Sequence, residues 1–254
     1  MAKIKKSPTG EMPFLDHLEE LRWRILRSLG ALVVTTVIGF LVVQNFDVVQ
    51  LLKEPIAPYL PEGRLIVTRP TDAFFITIKL AFLIGFVLAA PVILGQAWGF
   101  LSPALYEHER RYITPALLAG LGLFLAGAFM AYLWVLPVAL KFLLTNFQWE
   151  DLDFFITASS YFGFAMQLIL AFGLMFEVPL FMVVLSALGL IGPKGFAKHR
   201  PLALVIASIL AAMLTPPDVA SMMMLMVPVV MLYEMGILVS RLVWKDRERP
   251  RTER

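Results

Sequence analysis

The stretch "AFGLMFEVPLFMVV", Ala171–Val184, carries one carboxylate, Glu177, inside a run that is otherwise almost wholly apolar. A long apolar run of this kind predicts a helix that spans a membrane. An acidic side chain at the centre of such a helix costs about 2.5–3.5 kcal/mol. Pro179 adds a polar feature, because it cannot donate a hydrogen bond to the carbonyl of Met175. We therefore interpret Glu177 as a functional candidate within the membrane.

The composition of the whole chain indicates that the bilayer is its solvent. The residues are 59% hydrophobic and 16% charged, with a mean hydropathy of +0.78, and a water-soluble fold of this length needs more charge to cover its surface. The chain has no cysteine, which excludes disulfides and thiolate sites. Its three histidines have no metal-ligand spacing. We expect no metal, no cofactor and no nucleic-acid partner, and no cleavable signal peptide in the polar N-terminal segment.

Six apolar runs are separated by polar or proline-containing segments. None of them alternates as a barrel strand would, and in lipid each segment has to satisfy its own backbone. The predicted fold class is therefore an all-α integral membrane protein with six transmembrane helices in a single domain, residues 1–254. The predicted helices are Ile25–Val43, Ala73–Phe100, Tyr112–Leu140, Tyr161–Ile191, Pro201–Leu214 and Val219–Val239.

The positions of lysine and arginine predict the orientation. Four segments on one side, together with Arg27 at the start of the first span, hold 17 of the 22 basic residues, and that side is expected to be cytoplasmic. With six spans, both termini then lie in the cytoplasm. These segments are the N-terminus with an amphipathic stretch at about 12–24, the loops Tyr106–Arg111 and Gly192–Arg200, and a charged tail at about 241–254.

Prolines lie inside four of the predicted helices, namely Pro91, Pro137, Pro179 and Pro228. Each removes a backbone hydrogen bond and favours a kink, so we expect a bundle with a concave side. On the side opposite to the cytoplasm, "VVQLLKEPIAPYLPEG" has three prolines and an apolar stripe. It predicts a short helix and turns along the membrane interface.

Two cytoplasmic passages concentrate carboxylates near aromatic residues. In "FLDHLEELRWRIL", Glu20 lies four residues before Arg24, so the two side chains can pair within the helix for about 0.2–0.5 kcal/mol. In "LSPALYEHERRYITP", Glu107 and Glu109 flank His108 and precede two arginines. Such carboxylates can accept an arginine from another chain, because guanidinium binds carboxylate bidentately. They can equally pair with the arginines of their own segment, and spacing does not distinguish the two.

Four motifs together carry a resemblance to a known family. "HLEELRWRIL", "PVILGQAWGFLSPALYEHERR", "FGLMFEVP" and "LTPPD" are similar, in order, to motifs of the TatC subunit of the twin-arginine protein translocase. The resemblance covers nearly all of residues 12–244. It implies a signal-peptide receptor and core subunit, without enzymatic activity, that exports folded proteins across the cytoplasmic (inner) membrane using the proton-motive force.

The resemblance also implies site residues and partners. Glu20 and Glu109 match the carboxylates that receive the paired arginines of the signal peptide, and Arg22 and Phe100 match their neighbours. The other family positions sensitive to change are Pro55, Glu177 and Asp218. The implied partners are twin-arginine signal peptides, TatA and TatB subunits, further copies of the chain and the lipid bilayer.

Glu177 has two interpretations. In the functional one it meets a polar group of a partner helix, which the resemblance suggests is TatA, TatB or the signal peptide. In the structural one it bonds to Gln167, Lys79 or Tyr161 within its own bundle.

A different class of function remains as the alternative. A small proton-coupled secondary transporter could use Glu177 and Lys79 as a relay, although no inverted repeat is visible. An intramembrane enzyme is disfavoured because the chain lacks GxSxG, HExxH and nucleotide-binding motifs.

Overall fold

The structure, a computed structural model, describes residues 14–60, 64–101, 113–145, 155–214 and 219–248. Within these ranges the chain is almost entirely helical, with no strand and a single parallel β-bridge between Ile66 and Thr157. Five of the helices there are long and apolar enough to cross a membrane, and a shorter apolar helix, Arg200–Met213, precedes the last of them. The predicted all-α membrane class is confirmed.

The helices follow the predicted order. Six predicted spans correspond to α1, α3, α4 with α5, α6, α8 and α9. The bounds are α1 Phe14–Asn45, α2 Val48–Lys53, a 3-10 helix Glu54–Tyr59, α3 Asp72–Leu101, α4 Ile113–Met130, a π-helical turn Ala131–Val135, α5 Leu136–Thr145, α6 Ala158–Ala187, α7 Pro193–Lys198, α8 Arg200–Leu214 and α9 Val219–Glu248.

Several predicted helix ends are wrong, among them the end of the third span, which lies at Thr145 rather than Leu140. Helix α1 begins at Phe14 rather than Ile25, so the described part of the amphipathic stretch is continuous with the first span. Helix α9 continues to Glu248 rather than ending at Val239. Both extensions lack an internal helix breaker, and Pro250 lies just beyond the second.

A further error concerns the end of α6, which lies at Ala187 rather than Ile191. Gly189 has a φ of 75°, a left-handed conformation that glycine adopts readily and that ends helices. Pro193 then stands in the first turn of the unpredicted helix α7. The chain therefore turns twice before α8.

The segment between α1 and α3 forms the predicted short helix and turns, as α2 and the 3-10 helix. Two backbone hydrogen bonds connect this segment to the start of α6. The N–H of Ile66 donates to the carbonyl of Ile156 at 3.1 Å, and the N–H of Ala158 donates to the carbonyl of Ile66 at 2.8 Å. Asp72, at the start of α3, accepts hydrogen bonds from the Thr68 hydroxyl and the Arg69 backbone N–H, both at 3.0 Å. This end of the bundle is thus connected by the backbone and not by side-chain packing alone.

Helices α1 and α3 approach each other closely at two glycines. A Cβ on Gly39 would overlap the carbonyl oxygen of Ala81, and a Cβ on Gly85 would lie 2.6 Å from the Cα of Thr36. The Thr35 hydroxyl donates a hydrogen bond to the carbonyl of Gly85 at 2.7 Å. Small residues and interhelical hydrogen bonds of this kind are typical of helix contacts in membranes.

Helix α6 packs against α4 on one side and α9 on the other. A Cβ on Gly127 of α4 would lie 2.5 Å from the carbonyl oxygen of Phe172, and a Cβ on Gly173 would lie 2.6 Å from the ring of Phe124. On the other side, Gly236 of α9 lies against Met182. Helix α6 is accordingly the central helix, with Leu168 and Phe172 fully buried.

The outer surface of the bundle is apolar. On α1, Val33 and Val34 are 64% and 61% exposed, and Trp134 in the π-helical turn is 74% exposed. In water such a surface would be an aggregation site. In a bilayer it contacts lipid, in agreement with the assignment as a multi-pass membrane protein.

We predict that Gly39→Ala destabilises the protein by about 1–3 kcal/mol, because the added methyl group meets backbone that cannot move aside cheaply. Gly30→Ala on the same helix is the matched control. Nothing lies within 4 Å of its Cβ, so it should be neutral or slightly stabilising. Thermal unfolding of the purified protein in detergent measures both, and equal midpoints for the two variants would contradict the close approach.

Candidate functional site

The first turns of α1 and the last turns of α3 form one cluster of polar and aromatic side chains. The ring of His17 stacks on Phe100, with centroids 4.2 Å apart and planes at 10°. Glu20 lies one turn further along α1 and is half-buried. Two of the predicted site residues, Glu20 and Phe100, are therefore brought to the same end of the α1–α3 pair, with His17 between them.

Arg24 connects the two helices of this cluster. Its guanidinium donates to Glu20 Oε1 from Nε at 2.9 Å and from Nη2 at 2.5 Å, which is the predicted pairing within the helix. It also donates from Nη1 to the backbone carbonyl of Gln96 at 3.4 Å. The same group lies against Gly99, where a Cβ would overlap Nη1. The Arg24 guanidinium can therefore lie here only because position 99 of α3 is a glycine.

Two acceptors in the cluster remain unused by the described residues. Glu20 Oε2 and Gln96 Oε1 are buried and have no hydrogen-bond partner within the described ranges, while His17 Nδ1 lies 3.7 Å from Glu20 Oε2. Buried polar atoms are nearly always bonded. Spare acceptors beside an aromatic pair suit a donor that is planar, cationic and has several N–H groups, as a guanidinium does.

Of the other predicted residues, only Arg22 lies within the described ranges, and it is placed apart from Glu20. Arg22 is exposed on α1 and lies two residues, or about 200° around the helix, from Glu20. Glu109, with Glu107, and Asp218 lie outside the described residues.

Glu177 lies separately, on α6 where that helix faces α4. Gly120 of α4 lies opposite, and its ideal Cβ position is 3.2 Å from Glu177 Oε2 and 3.6 Å from Oε1. Oε1 is buried, and no described residue bonds to it. The carboxyl group therefore occupies a gap between two helices without a hydrogen-bond donor from the described part of the bundle.

The predicted internal partners of Glu177 are wrong. The amide of Gln167 donates to the carbonyl of Met213 at 2.9 Å, and the hydroxyl of Tyr161 donates to the carbonyl of Leu52 at 2.5 Å. Lys79 Nζ lies 3.6 Å from the ideal Cβ of Gly163. Gly163 is fourteen positions before Glu177 on α6, or about 21 Å along the axis. A direct relay between Lys79 and Glu177, which the transporter alternative requires, does not exist in this geometry.

Pro55 lies at the other end of the bundle, in the first turn of the 3-10 helix. Two tyrosines hold the segment just before it. The hydroxyl of Tyr132, in the π-helical turn, donates to the carbonyl of Leu51 at 2.7 Å, and that of Tyr161 donates to the carbonyl of Leu52. The Leu51 carbonyl also accepts a hydrogen bond from the backbone N–H of Glu54, so the tyrosine hydroxyls add to the backbone bonds at the end of α2, where carbonyls are short of helical partners.

Comparison with known proteins decides the family. The family model of the Sec-independent protein translocase protein TatC matches residues 16–228. TatC of Aquifex aeolicus is 39% identical over 93% of this chain and 98% of its own length. TatC of Escherichia coli K12 is 41% identical over 93% of this chain and 92% of its own length. The chain belongs to the TatC family.

Solved structures agree with this assignment. A crystal structure of the twin-arginine translocase receptor TatC has a TM-score of 0.81 at 38% identity, and covers 89% of this chain and 99% of its own. A second, of TatC in DDM, has the same TM-score at 40% identity. TatC proteins are subunits of a protein translocase and not catalytic enzymes. As a member, this chain is a multi-pass inner-membrane protein that works in a complex with other Tat subunits.

Besides His17, which stacks on Phe100, sequence reasoning missed three residues that shape these TatC sites. Gln96 is a single amide in the apolar end of α3, and that isolation is a signal that could have marked it. Gly99 and Gly120 make room for Arg24 and Glu177. No local signal distinguishes them from the other glycines, because their role depends on a helix distant in sequence.

We predict that Tyr161→Phe lowers the free energy of local opening of the α2 segment by about 1 kcal/mol, because the carbonyl of Leu52 loses a buried hydrogen bond. Tyr132→Phe should have a smaller effect, because its bond is exposed to solvent. Hydrogen–deuterium exchange of residues 48–60 provides the measurement. Unchanged protection in Tyr161→Phe would show that this hydroxyl does not anchor the segment.

Proposed function

We propose that this chain is the signal-peptide receptor and core subunit of a twin-arginine translocase that exports folded proteins across the cytoplasmic membrane using the proton-motive force. In this proposal both termini and the α1–α3 cluster face the cytoplasm. The observation that carries it is the pair of unused acceptors, Glu20 Oε2 and Gln96 Oε1, beside the stacked rings of His17 and Phe100. This combination suits an arginine from another chain.

Recognition of paired arginines needs two separated acceptors. We assign one arginine to Glu20 and the other to Glu109, with Arg22 and Phe100 shaping the surface around them. Arg24 already occupies Glu20 Oε1. An incoming guanidinium therefore binds Oε2 or displaces Arg24. A lysine has three donors on one point charge and cannot match the planar fork of arginine, so it is the weaker ligand.

The carboxylates supply specificity more than affinity. Ion pairs exposed to solvent contribute about 0–1 kcal/mol each, which is too little to hold a signal peptide. The apolar part of the signal peptide adds affinity by burying apolar surface against α1 and lipid. Helix α1 presents a continuous exposed apolar face there, which includes Val33 and Val37.

Glu177 is the second part of the proposal. We assign its carboxyl group to a polar side chain on the membrane helix of a TatA or TatB subunit, or on the inserted signal peptide. Pro55 and Asp218 act on the opposite side of the membrane, Pro55 through the segment anchored by the two tyrosines and Asp218 in the segment that follows α8. Further copies of the chain complete the assembly.

We predict that the double variant Glu20→Gln with Glu109→Gln loses the preference for Arg-Arg over Lys-Lys signals, because two charge-assisted bonds become neutral ones. Two ion pairs at the membrane surface, worth up to about 1 kcal/mol each, together contribute up to about 2 kcal/mol to the preference, which corresponds to about a 30-fold change in relative affinity. Photocrosslinking from signal peptides with a probe beside the Arg-Arg or Lys-Lys pair measures the preference in membranes.

The matched control for this experiment is Glu19→Gln with Glu107→Gln. It makes the same change of charge in the same two segments and should retain the preference. Equal loss in both double variants would indicate a general effect of charge and would refute the assignment of Glu20 and Glu109. Labelling concentrated in the loops opposite to the cytoplasm would refute the orientation.

We predict that Glu177→Ala impairs transport more than it impairs insertion or folding, because the carboxyl group lacks a structural bond within the described bundle. An export assay reports transport, and protease protection of the membrane-inserted chain reports folding. Parallel losses in the two assays would mean that Glu177 has a structural role only.

A further inference from the structure

Arg24 occupies the carboxyl group that the proposed function gives to an arginine of the signal peptide. Its Nε and Nη2 both donate to Glu20 Oε1, at 2.9 and 2.5 Å. The second oxygen, Oε2, is buried and has no hydrogen-bond partner among the described residues. In this arrangement one oxygen of Glu20 is taken and the other is covered. An incoming guanidinium therefore reaches the carboxylate only when a neighbouring side chain moves.

The contacts of Arg24 are of a kind that another arginine can replace. Its two N–H groups share a single carboxylate oxygen, whereas a bidentate pair uses both oxygens and is stronger. Its contact with α3, from Nη1 to the carbonyl of Gln96, is 3.4 Å, which is longer than a usual N–H···O bond. The side chains of Arg24 and Glu20 are each 22% exposed, so the guanidinium has a path into water. A guanidinium that binds both oxygens of Glu20 thus makes stronger bonds than Arg24 gives up.

We propose that Arg24 is an autoinhibitory residue of the signal-peptide site, an internal competitor that a signal arginine has to displace from Glu20. The inference rests on the proposed function of Glu20 and adds how that site is regulated. Any cationic side chain that binds this carboxylate has to displace Arg24 first. Arg24 consequently lowers the affinity for all such ligands by one common factor, and only signals with enough further contacts bind.

Two substitutions remove Arg24 from Glu20 by independent routes. Arg24→Gln deletes the guanidinium. Gly99→Ala retains it but places a methyl group where Nη1 lies, and the flexible end of the arginine side chain can move aside. The second variant keeps the charge of the chain unchanged. An effect shared by the two variants therefore comes from the vacated carboxyl group and not from a loss of positive charge.

Each variant has a matched control on its own helix. Arg27→Gln makes the same change of charge three residues further along α1, at an exposed side chain. Gly95→Ala adds the same methyl group one turn before Gly99, where the nearest neighbour is Leu117 Cδ1 at 3.4 Å. Both controls should bind signal peptides as the unmodified chain does.

The experiment measures the dissociation constant of a fluorescent twin-arginine signal peptide for the complete translocase in membrane vesicles. We expect binding to tighten about two- to fivefold in Arg24→Gln and in Gly99→Ala, which corresponds to the roughly 0.5–1 kcal/mol of a partly exposed ion pair. A Lys-Lys version of the peptide should tighten by the same factor. The ratio of the two affinities stays constant, because the geometry that favours arginine belongs to the Glu20 carboxylate and not to Arg24.

A double-mutant cycle tests whether the effect passes through Glu20. In a Glu20→Gln background, Arg24→Gln and Gly99→Ala should leave the dissociation constant unchanged, because the carboxylate for which Arg24 competes is gone. Tightening that persists in this background would overturn the inference. Tightening in only one of the two variants, or to the same extent in Arg27→Gln, would overturn it as well.

A second measurement follows Arg24 in the unmodified chain and so does not depend on the folding of a binding variant. In protein with isotope-labelled arginine, the Nε–H resonance of Arg24 is assigned by its loss in Arg24→Lys. This resonance should shift when the purified protein is saturated with the twin-arginine peptide, because Nε leaves Glu20 Oε1. An unshifted resonance at saturation would contradict displacement and refute the inference.

The outcomes distinguish the inference from the function on which it rests. If Glu20→Gln leaves the affinity for the twin-arginine peptide unchanged, the assignment of Glu20 fails and the inference fails with it. If Glu20→Gln weakens binding while Arg24→Gln and Gly99→Ala do not strengthen it, the signal-peptide site stands and the competing role of Arg24 is refuted.

Discussion

Hydrocarbon offers no hydrogen bonds, and this constraint governs the described structure. Three polar side chains within the spans are bonded to the backbone of a neighbouring segment: Thr35 to Gly85, Tyr161 to Leu52 and Gln167 to Met213. Each of these bonds also joins two elements that are distant in the sequence. Polar groups in the membrane thus act here as specific connections between helices, and a polar group that lacks such a connection is conspicuous.

The two carboxylates at the centre of the proposed function are both incompletely bonded by the described residues, but for different reasons. Glu20 lies at the start of α1, where Arg24 occupies one of its oxygens and leaves the other unused. Glu177 lies between α4 and α6, where the facing Gly120 carries no side chain. Unsatisfied buried polar atoms are rare in native structures. Here they occur at Glu20 and Glu177. The family resemblance indicates the same two residues, so the physical and the family evidence agree on them.

Glycines act in two ways in this bundle. Gly39, Gly85, Gly127 and Gly173 let helix backbones approach, and a side chain at any of them would meet a neighbouring helix at close range. Gly99 and Gly120 instead leave space for a functional group, the Arg24 guanidinium in one case and the Glu177 carboxyl group in the other. The first group sets the distances between helices. The second decides what the polar groups can contact.

The sequence by itself determined the fold class and the order of the spans, because hydropathy is a local property that each segment carries alone. It also predicted the bond between Glu20 and Arg24, since a spacing of four residues implies contact on any helix. The family followed from four motifs in order. Helix ends were predicted less well. The length of α1 depends on how far the helix continues beyond its apolar span, and the end of α6 depends on the backbone conformation of Gly189.

Only the tertiary structure decided what surrounds the two carboxylates. Arg24 contacts Gln96 across 72 positions, and Glu177 faces Gly120 on a different helix. The residues expected to bond Glu177 turned out to bond other segments. No spacing along the chain encodes these contacts, because they depend on which helices are neighbours and on how closely the glycines between them allow the backbones to approach.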